Sequence, residues 1–219
     1  MTDISIEGSK TVRRAIYFND IVGSSKLWKA HPEQMFGALS QFVQLANKTI
    51  KRFPKGRILR FMGDSLLIDF ESEFKAIEFA LELQAALKMN PIQISGDKYL
   101  QIRSGIAYGQ LKKVDLNLGG CKSVDYYGNV INTASRMESK ASPIGGLAVA
   151  VISKNQQEVD KILKIVSKFS HFEVSSVTEF AANQQCSISQ SQKRNTILCQ
   201  NATMLHGVEP TIAIKISPL

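Results

Sequence analysis

Asp20 has the surroundings of a metal-binding carboxylate. It ends the apolar run 15–19, and the small residues Gly23, Ser24 and Ser25 follow it at the start of a predicted helix. Carboxylate oxygens suit Mg²⁺ or Mn²⁺, which use few protein carboxylates and complete their shell with water and phosphate. Small residues at a helix start also let backbone N–H groups approach phosphates. This segment predicts a site for a metal-bound phosphate, although an aspartate there is also typical of a helix N-cap.

A second carboxylate, Asp64, lies in a Gly-Asp turn between strands predicted at 57–62 and 65–70. Such turns are common, so Asp64 alone indicates little. In a β-α-β-β arrangement, however, the first strand and this hairpin can lie side by side and bring Asp20 close to Asp64. The pair could then share two cations about 3.5–4 Å apart. One cation would help to deprotonate a hydroxyl nucleophile, and the other would hold the leaving phosphates.

Asn132 and Arg136 are four residues apart in a helix predicted at 128–140, so they share one helix face. Arg136 has no acidic neighbour on that face, which suits contact with a phosphoryl oxygen. The alternative is a surface arginine that caps or pairs elsewhere. Asp125, seven residues before Asn132, is expected to face a different part of the site.

The elements that must position these side chains follow the order β-α-β-β-α-β. This order predicts an α+β fold with a ferredoxin-like core, in which two helices cover one face of a largely antiparallel sheet. The first predicted elements are a strand at 13–19 and a long helix that starts at 23–25, has apolar positions as far as Ile50 and is stopped by 54–56. Strands at 57–62 and 65–70 follow, then a second helix with an apolar stripe over 74–87 that ends at 90–91. The remaining predicted elements are strands at 99–107 and 110–115, a polar loop at 116–124, a helix at 128–140 and a strand at 146–152.

We expect one domain over 1–219, with a motif-bearing core at about 13–152 and a C-terminal extension at about 153–219 that adds further strands. The pattern weakens within the extension. Its predicted elements are an amphipathic helix at 154–168, a loop or irregular hairpin arm at 183–201 and a final strand at 212–216.

Composition indicates a soluble globular protein, with 44% hydrophobic and 21% charged residues. No apolar run approaches the roughly 20 residues that span a bilayer, and the N-terminus lacks a signal-peptide pattern. Cys121, Cys186 and Cys199 are odd in number and far apart, so free thiols are expected. We therefore expect a cytoplasmic protein with no membrane partner.

The net charge of +8 raises the question of nucleic-acid binding. The densest group of basic residues, at 48–60, lacks the interleaved aromatic residues of single-strand binding platforms. Scattered basic residues on solvated faces are the simpler interpretation, and they would also attract a polyanionic nucleotide. No nucleic-acid partner is expected.

Four segments resemble the class III nucleotide cyclases and occur in the order typical of that family. Together they fall within about 13–152, or two-thirds of the chain, and 205–210 resembles the family's closing strands. The segments are Phe-Asn-Asp-Ile-Val-Gly-Ser-Ser at 18–25, Phe-Met-Gly-Asp at 61–64, Arg-Ser-Gly-Ile-Ala-Tyr-Gly at 103–109, and Asp-Tyr-Tyr-Gly-Asn-Val-Ile-Asn-Thr-Ala-Ser-Arg-Met at 125–137.

The resemblance implies an enzyme that converts a nucleoside triphosphate into a 3′,5′-cyclic nucleotide and pyrophosphate. By similarity, Asp20 and Asp64 bind two divalent metal ions, Mn²⁺ or Mg²⁺, with help from the Ile21 carbonyl group. Asn132 would orient the ribose. Arg136 would stabilise the charge that develops on the α-phosphate.

Arg103 is similar to a basic residue that contacts the triphosphate in the family.

The resemblance also implies a homodimer. Family members combine metals held by one subunit with the Asn and Arg of the other, and this chain carries both sets. A homodimer with two composite active sites is therefore expected, and a monomer should be nearly inactive.

The residues expected to read the base depart from the family pattern. Adenine-selective members pair a Lys with an Asp; here the Asp is Asp125, but Arg60 replaces the Lys. Guanine-selective members use an acid and a small residue, and neither matches. Arg60 and Asp125 together fit several bases, and a pyrimidine would leave more room for the longer arginine.

Chain length adds to this argument, because 219 residues leave no room for a regulatory domain. Compact members of the family include bacterial pyrimidine cyclases of anti-phage signalling, whose cyclic UMP or cyclic CMP switches on a separate effector. Uridylate or cytidylate cyclase activity in anti-phage defence is therefore slightly favoured. The alternative is an adenylate cyclase making cyclic AMP from ATP. An inactive nucleotide- or RNA-binding module is a minor alternative.

Overall fold

The structure is a computed structural model that describes residues 4–141, 146–151, 156–180, 185–190, 197–200 and 211–218. Its strands are β1 (Ile4–Ile21), β2 (Arg57–Met62), β3 (Ser65–Phe70), β4 (Gln93–Ser95), β5 (Lys98–Tyr99), β6 (Ile102–Leu118), β7 (Cys121–Tyr127), β8 (Leu147–Val151), β9 (Phe172–Phe180), β10 (Gln185–Gln190), β11 (Ile197–Gln200) and β12 (Thr211–Pro218). Its helices are α1 (Ser24–Ala30), α2 (Pro32–Ile50), α3 (Glu73–Met89), α4 (Asn129–Lys140) and α5 (Gln156–Val166). None of the helices in these stretches is long and apolar enough to cross a membrane.

Four strands at one end of the main sheet form the ferredoxin-like core, with β2 as the edge strand. Their spatial order is β6-β1-β3-β2, and each neighbouring pair is antiparallel. Strand β1 therefore lies between β6 and the β2–β3 hairpin. Strand β8 joins β6 in parallel, and β12, β9, β10 and β11 continue the sheet beyond it. The predicted α+β fold with additional C-terminal strands is confirmed.

Side chains along β1 alternate between the two faces of the sheet, so each face needs a cover. Different helices provide it. Tyr17 points into the core that holds α2 and α3, where its ring meets Phe79 edge-on with 5.1 Å between ring centroids. Ile16 points the other way, into a smaller core that includes Ala134 and Met137 of α4. The predicted pair of helices on one face corresponds to α2 and α3, and α4 covers the opposite face.

Helix α4 lies directly on strand β6 at Gly105. A Cβ atom at that position would meet the carbonyl oxygen of Ala134 at 2.0 Å and the backbone nitrogen of Glu138 at 2.2 Å. Only the absence of a side chain permits this approach. Since Arg103 is two residues before Gly105 and pairs with Asp20, the last turn of α4 is held close to the end of β1.

Residues 110–127 correct the predicted strand at 110–115 and polar loop at 116–124. Strand β6 continues through Gly109, and β7 pairs with its second half along the full length of β7. Gly119 and Gly120, at the turn between them, have φ values of 59° and 90°. Tight hairpin turns require such positive values. The polar residues of β7 are therefore strand residues, ordered by pairing with β6.

Two further differences lie in the first 50 residues. Strand β1 begins at Ile4, nine residues before the predicted start, because its first half pairs with the second half of β6. The predicted long helix is divided into α1 and α2 at His31. Pro32 begins α2, which is favourable because proline has no N–H group to satisfy at a helix start.

In the C-terminal extension, α5 and β12 confirm the predicted helix at 154–168 and the final strand at 212–216. Strand β9 was not predicted. Strands β10 and β11 pair with each other, so the described parts of 183–201 form a hairpin arm and not a loop. The segment 205–210 lies outside the described residues.

Candidate active site

Pairing of β1 with β3 brings Asp20 and Asp64 together. Asp20 is the second-last residue of β1, and Asp64 lies in the turn leading into β3. The Ser65 hydroxyl oxygen lies 3.2 Å from Asp20 Oδ1 and 3.5 Å from Asp64 Oδ1. Its one proton can be donated to only one of these oxygens at a time. The carboxylates of Asp20 and Asp64 thus lie in one site and compete for the hydroxyl group of Ser65.

The electrostatics of this site favour a cation. Burial, and then the nearby charge of Asp64, raise the pKa of the Asp20 carboxyl group above its ordinary value. Hydrogen bonds from Ser65 and the Ile21 backbone, together with Arg103, act in the opposite direction without cancelling the rise. A divalent cation between the carboxylates would relieve their repulsion.

The donor set also fits Mg²⁺ or Mn²⁺. Within the described stretches, no group of three or more His, Cys, Asp and Glu side chains could hold a metal. Two carboxylates suffice for these hard cations, because water and substrate phosphates supply the other ligands. The Ile21 side chain is buried in the core, so only its backbone is available to the site.

The segment after Asp20 turns sharply into α1. Gly23 adopts the left-handed conformation with φ 70°, and its carbonyl oxygen accepts hydrogen bonds from the N–H groups of Lys26 and Leu27. Ser24 is buried and Ser25 is exposed. The predicted phosphate-contacting residues therefore lie directly beside the end of β1, in a turn that favours glycine at its first position.

Asn132 and Arg136 lie on the side of α4 that faces away from the sheet. The residues that α4 buries are Val130, Thr133, Ala134, Met137 and Glu138. Asn132 is exposed and Arg136 is partly exposed, and neither side chain has a hydrogen-bond or ion-pair partner among the described residues. Both predicted groups are thus displayed outward, as the predicted helix face requires.

Arg103 connects the metal-site strands to α4. Its Nη2 lies 3.8 Å from Asp20 Oδ2, and its Nε lies 2.9 Å from Glu138 Oε1. The contact with Glu138 is an ion pair that lacks the direction of a hydrogen bond. Burial raises the pKa of the Glu138 carboxyl group, and the Arg103 charge opposes this rise. Arg103 thus lies between two carboxylates from different elements.

The two predicted base-reading residues meet. Asp125 on β7 is buried, and its carboxylate forms an ion pair with the guanidinium group of Arg60 on β2. Arg60 itself is exposed. The backbone N–H of Tyr126 donates to Asp125 Oδ1 at 2.8 Å. Pairing of β7 with β6 places Asp125 beside Arg60, so a segment predicted in part as a loop belongs to the strand that positions Asp125.

A network centred on a buried carboxylate supports this pair. The Asp69 carboxylate is fully buried and pairs with Arg14 at 2.7 Å and Arg57 at 3.3 Å. The Tyr126 hydroxyl group lies 3.2 Å from the same carboxylate and also contacts Arg57. Burial, followed by the charge of Asp69, raises the Tyr126 pKa. The network fixes the end of β7 against β2 and β3.

The sequence-based prediction did not identify Ser65, Glu138 or the Asp69 network. Ser65 could have been found, because it directly follows Asp64 and has a hydroxyl group. Glu138 and Asp69 depend on helix packing and on sheet order, and no spacing along the chain reveals them.

The family comparison agrees with this geometry. The family described as "Adenylate and Guanylate cyclase catalytic domain" matches residues 7–185 of the 219. The chain belongs to this family. It is a family of phosphorus–oxygen lyases, whose class III domains generally use Mg²⁺ or Mn²⁺, act on nucleoside triphosphates and typically dimerise. The predicted membership of the class III cyclases is therefore confirmed.

Relatives and solved structures are consistent with the assignment. The domain is 30% identical over 156 residues to a receptor-type adenylate cyclase of Trypanosoma equiperdum, covering 57% of this chain and 33% of that protein. It is 26% identical over 168 residues to an adenylate cyclase of Podospora anserina, covering 68% of this chain and 8% of that protein. The cyclase domain thus spans a third or less of the length of these relatives.

Two solved structures share the fold at low sequence identity. The guanylyl cyclase Cya2 matches with a TM-score of 0.65 and 17% identity, over 95% of this chain and 93% of that one. The adenylyl cyclase CyaB from P. aeruginosa matches with a TM-score of 0.60 and 14% identity, over 96% of both chains. The resemblance extends over the core and the C-terminal strands alike.

Proposed function

We propose that this cyclase domain converts a nucleoside triphosphate into a 3′,5′-cyclic nucleotide and pyrophosphate in the cytoplasm. The convergence of Asp20 and Asp64 on one Ser65 hydroxyl group carries the proposal. Family membership supports it. A degenerate domain that only binds nucleotide or RNA would not need to keep both carboxylates together with Asn132 and Arg136.

Each group has a distinct task in the proposed reaction. Two divalent cations, when bound, would neutralise phosphate charge and make the ribose hydroxyl group easier to deprotonate. Asp20 and Asp64 would hold them, and the Ile21 carbonyl group would supply a further oxygen ligand. Asn132 orients the ribose, and Arg136 donates to the α-phosphate oxygens as their charge grows.

The triphosphate would lie next to the metal-site strands. Backbone N–H groups of Gly23, Ser24 and Ser25 approach its oxygens, as expected for small residues after a strand end. Arg103, beside Asp20, adds a guanidinium group for the same phosphates. These roles rest on position and donor chemistry together.

The geometry of α4 supports a homodimer with composite sites. A helix turns about 100° per residue, so Arg136 points roughly 200° away from Glu138. Glu138 is the residue that reaches the Arg103 beside Asp20. Arg136 of the same subunit therefore points away from its own carboxylates and toward a position that a partner subunit can fill.

ATP is the substrate that the observations favour. The relatives from Trypanosoma equiperdum and Podospora anserina are named as adenylate cyclases. Arg60 can donate to an acceptor nitrogen of adenine while Asp125 accepts from its amino group, and the two side chains already meet. In this proposal Arg60 takes the part of the family's Lys.

A pyrimidine triphosphate is the second candidate, and it depends on Arg60. Arginine is longer than lysine and presents a planar set of donors, so a smaller base would leave room for it. Uracil and cytosine both offer acceptor and donor groups that Arg60 and Asp125 can satisfy. A role in anti-phage defence through a cyclic-nucleotide-responsive effector belongs to this candidate alone.

Asp64→Asn tests the cyclase proposal. The substitution keeps the shape of the side chain but removes a metal-binding charge. We expect cyclic-nucleotide formation from ATP with Mn²⁺ to fall by more than about 100-fold, since even outer-shell partners of metals are worth 10- to 100-fold. Product is measured by mass spectrometry, and the fold is checked by circular dichroism.

Asp97→Asn is the matched control. Asp97 is exposed and follows a glycine with positive φ, as Asp64 does. It lies in the β4–β5 hairpin, which forms a separate two-stranded sheet. Activity should be unchanged in this variant. Equal activity in the Asp64→Asn and Asp97→Asn variants would refute the metal assignment.

A further inference from the structure

Glu138 lies on the inner face of α4, opposite the face that carries Asn132 and Arg136, yet it contacts a residue of the proposed site. Glu138 is buried on the inner face of α4, and its Oε1 lies 2.9 Å from the Nε of Arg103. Gly105 makes this contact possible, because its missing side chain lets the backbone of α4 touch β6. The Nη2 group of Arg103 then points toward Asp20, at 3.8 Å.

We propose that Glu138 is a positioning residue for the metal half-site of its own subunit. It holds the Nε edge of the Arg103 guanidinium group, which leaves the Nη groups directed toward Asp20 and the bound triphosphate. The inference rests on the proposed function. It gives α4 two tasks: Asn132 and Arg136 on its outer face serve one composite site, and Glu138 on its inner face serves the other.

The charge of Glu138 matters because Arg103 has two carboxylates within reach. The guanidinium group has five donors in a fixed plane and always carries its charge. Without the Glu138 charge, Asp20 would be the remaining carboxylate that pairs with Arg103 among the residues that the structure describes. A closer ion pair there would occupy an oxygen that a cation needs, and it would turn the Nη donors away from the phosphates.

Binding of Mn²⁺ with inorganic tripolyphosphate tests this role without turnover. Glu138→Gln keeps the shape of the side chain and removes its charge. We expect calorimetry on the full-length chain to show affinity weaker by about 10- to 100-fold, as for other outer-shell partners of metal sites. Glu138→Asp, which keeps the charge on a shorter side chain, should recover part of the loss.

Glu82→Gln is the control for charge loss. Glu82 on α3 pairs at 3.1 Å with Arg52, which follows the end of α2, so this substitution also breaks a Glu–Arg ion pair. It should leave the affinity within about twofold, because neither Glu82 nor Arg52 contacts a residue of the proposed site among the described residues. Unchanged affinity in the Glu138→Gln variant would overturn the inference. Failure of the unmodified chain to bind the probe would instead refute the proposed site as a whole.

Mixed dimers show which half-site Glu138 serves. A dimer of an Arg136→Ala subunit with an Asp64→Asn subunit keeps one intact composite site, with its metal ligands on the Arg136→Ala subunit. Adding Glu138→Gln to that subunit should raise KM for the triphosphate by roughly tenfold. Adding it to the Asp64→Asn subunit should leave KM and kcat nearly unchanged.

The outcomes separate positioning from general structural damage. Loss of activity from either subunit equally, or only from the Asp64→Asn subunit, would mean that Glu138 acts through the placement of α4 and would overturn the inference. An inactive mixed dimer without any Glu138 change would contradict shared sites, and the tripolyphosphate affinities would then decide the role of Glu138 alone.

Discussion

At the residue scale, Asp20 and Asp64 indicate a metal site only when they are considered together. Each has an ordinary explanation, as a helix cap or as a turn residue. They are separated by 43 residues along the chain, and this separation does not show how far apart the two side chains lie in the folded domain. Pairing of β1 with β3 puts both beside Ser65. Burial, and then the charge of Asp64, raise the pKa of Asp20 there. The family motifs supplied what single residues could not, and the geometry now supports the pair independently.

Arg60 is the residue that bears on the choice of base. If Arg60 reads the base, Arg60→Lys should raise the ratio of kcat/KM for ATP to that for UTP by roughly tenfold, because the shorter, single-point donor fits a purine better than a pyrimidine. Arg52→Lys is the control, since exposed Arg52 pairs with Glu82 away from the site. Steady-state kinetics with each triphosphate gives the ratio. An unchanged ratio would show that another residue sets selectivity.

At the element scale, local patterns predicted the hairpin and α4 well. The strands at 57–62 and 65–70 agree with β2 and β3 residue for residue, since the apolar pattern and the Gly-Asp turn are local signals. Strand β7 could not be predicted from its own residues, because pairing with β6 stabilises it. The Gly119-Gly120 turn was a sequence signal for that hairpin.

Gly105 tests the contact between α4 and β6. Gly105→Ala would place a methyl group about 2 Å from the backbone of α4. Overpacking typically costs about 1–3 kcal/mol, and backbone cannot rotate aside, so about 3 kcal/mol is expected. The resulting fall in Tm is roughly 6–12 °C for a chain of this size. Activity should fall too, because α4 carries Asn132 and Arg136.

Gly37→Ala is the matched control for the Gly105 substitution. Gly37 lies within α2, is exposed and has no atom within 4 Å of an added Cβ. Alanine there should stabilise the domain by about 0.5–1 kcal/mol. Thermal unfolding measures both variants. A Gly105→Ala protein as stable and active as the Gly37→Ala protein would contradict the close packing of α4.

At the scale of the whole molecule, the proposed composite active site requires two subunits. The outer face of α4 displays Asn132 and Arg136 away from the carboxylates of the same chain. Neither the partner nor its orientation can be inferred from local sequence patterns, and the dimer itself follows from family resemblance. The single-domain organisation over 1–219 likewise stays a prediction.

Mixing inactive subunits tests the composite sites. An Asp20→Ala subunit and an Arg136→Ala subunit should each be inactive alone. Random exchange would make half of the dimers mixed, each with one intact site of two, so roughly a quarter of the unmodified activity should return. Native mass spectrometry confirms that mixed dimers form. No recovery in confirmed mixed dimers would mean that each subunit acts alone.

The central claim is that this domain is a nucleotide cyclase whose turnover depends on Asp64. The most direct test gives the purified domain equal ATP, GTP, CTP and UTP with Mn²⁺ and identifies cyclic products by mass spectrometry, beside Asp64→Asn. We predict that cyclic AMP is the main product and that it disappears in the variant. Cyclic UMP or cyclic CMP as the main product would support the cyclase activity but would show that the preferred substrate is a pyrimidine triphosphate and not ATP. Absence of every cyclic nucleotide from the folded, dimeric protein would contradict the claim.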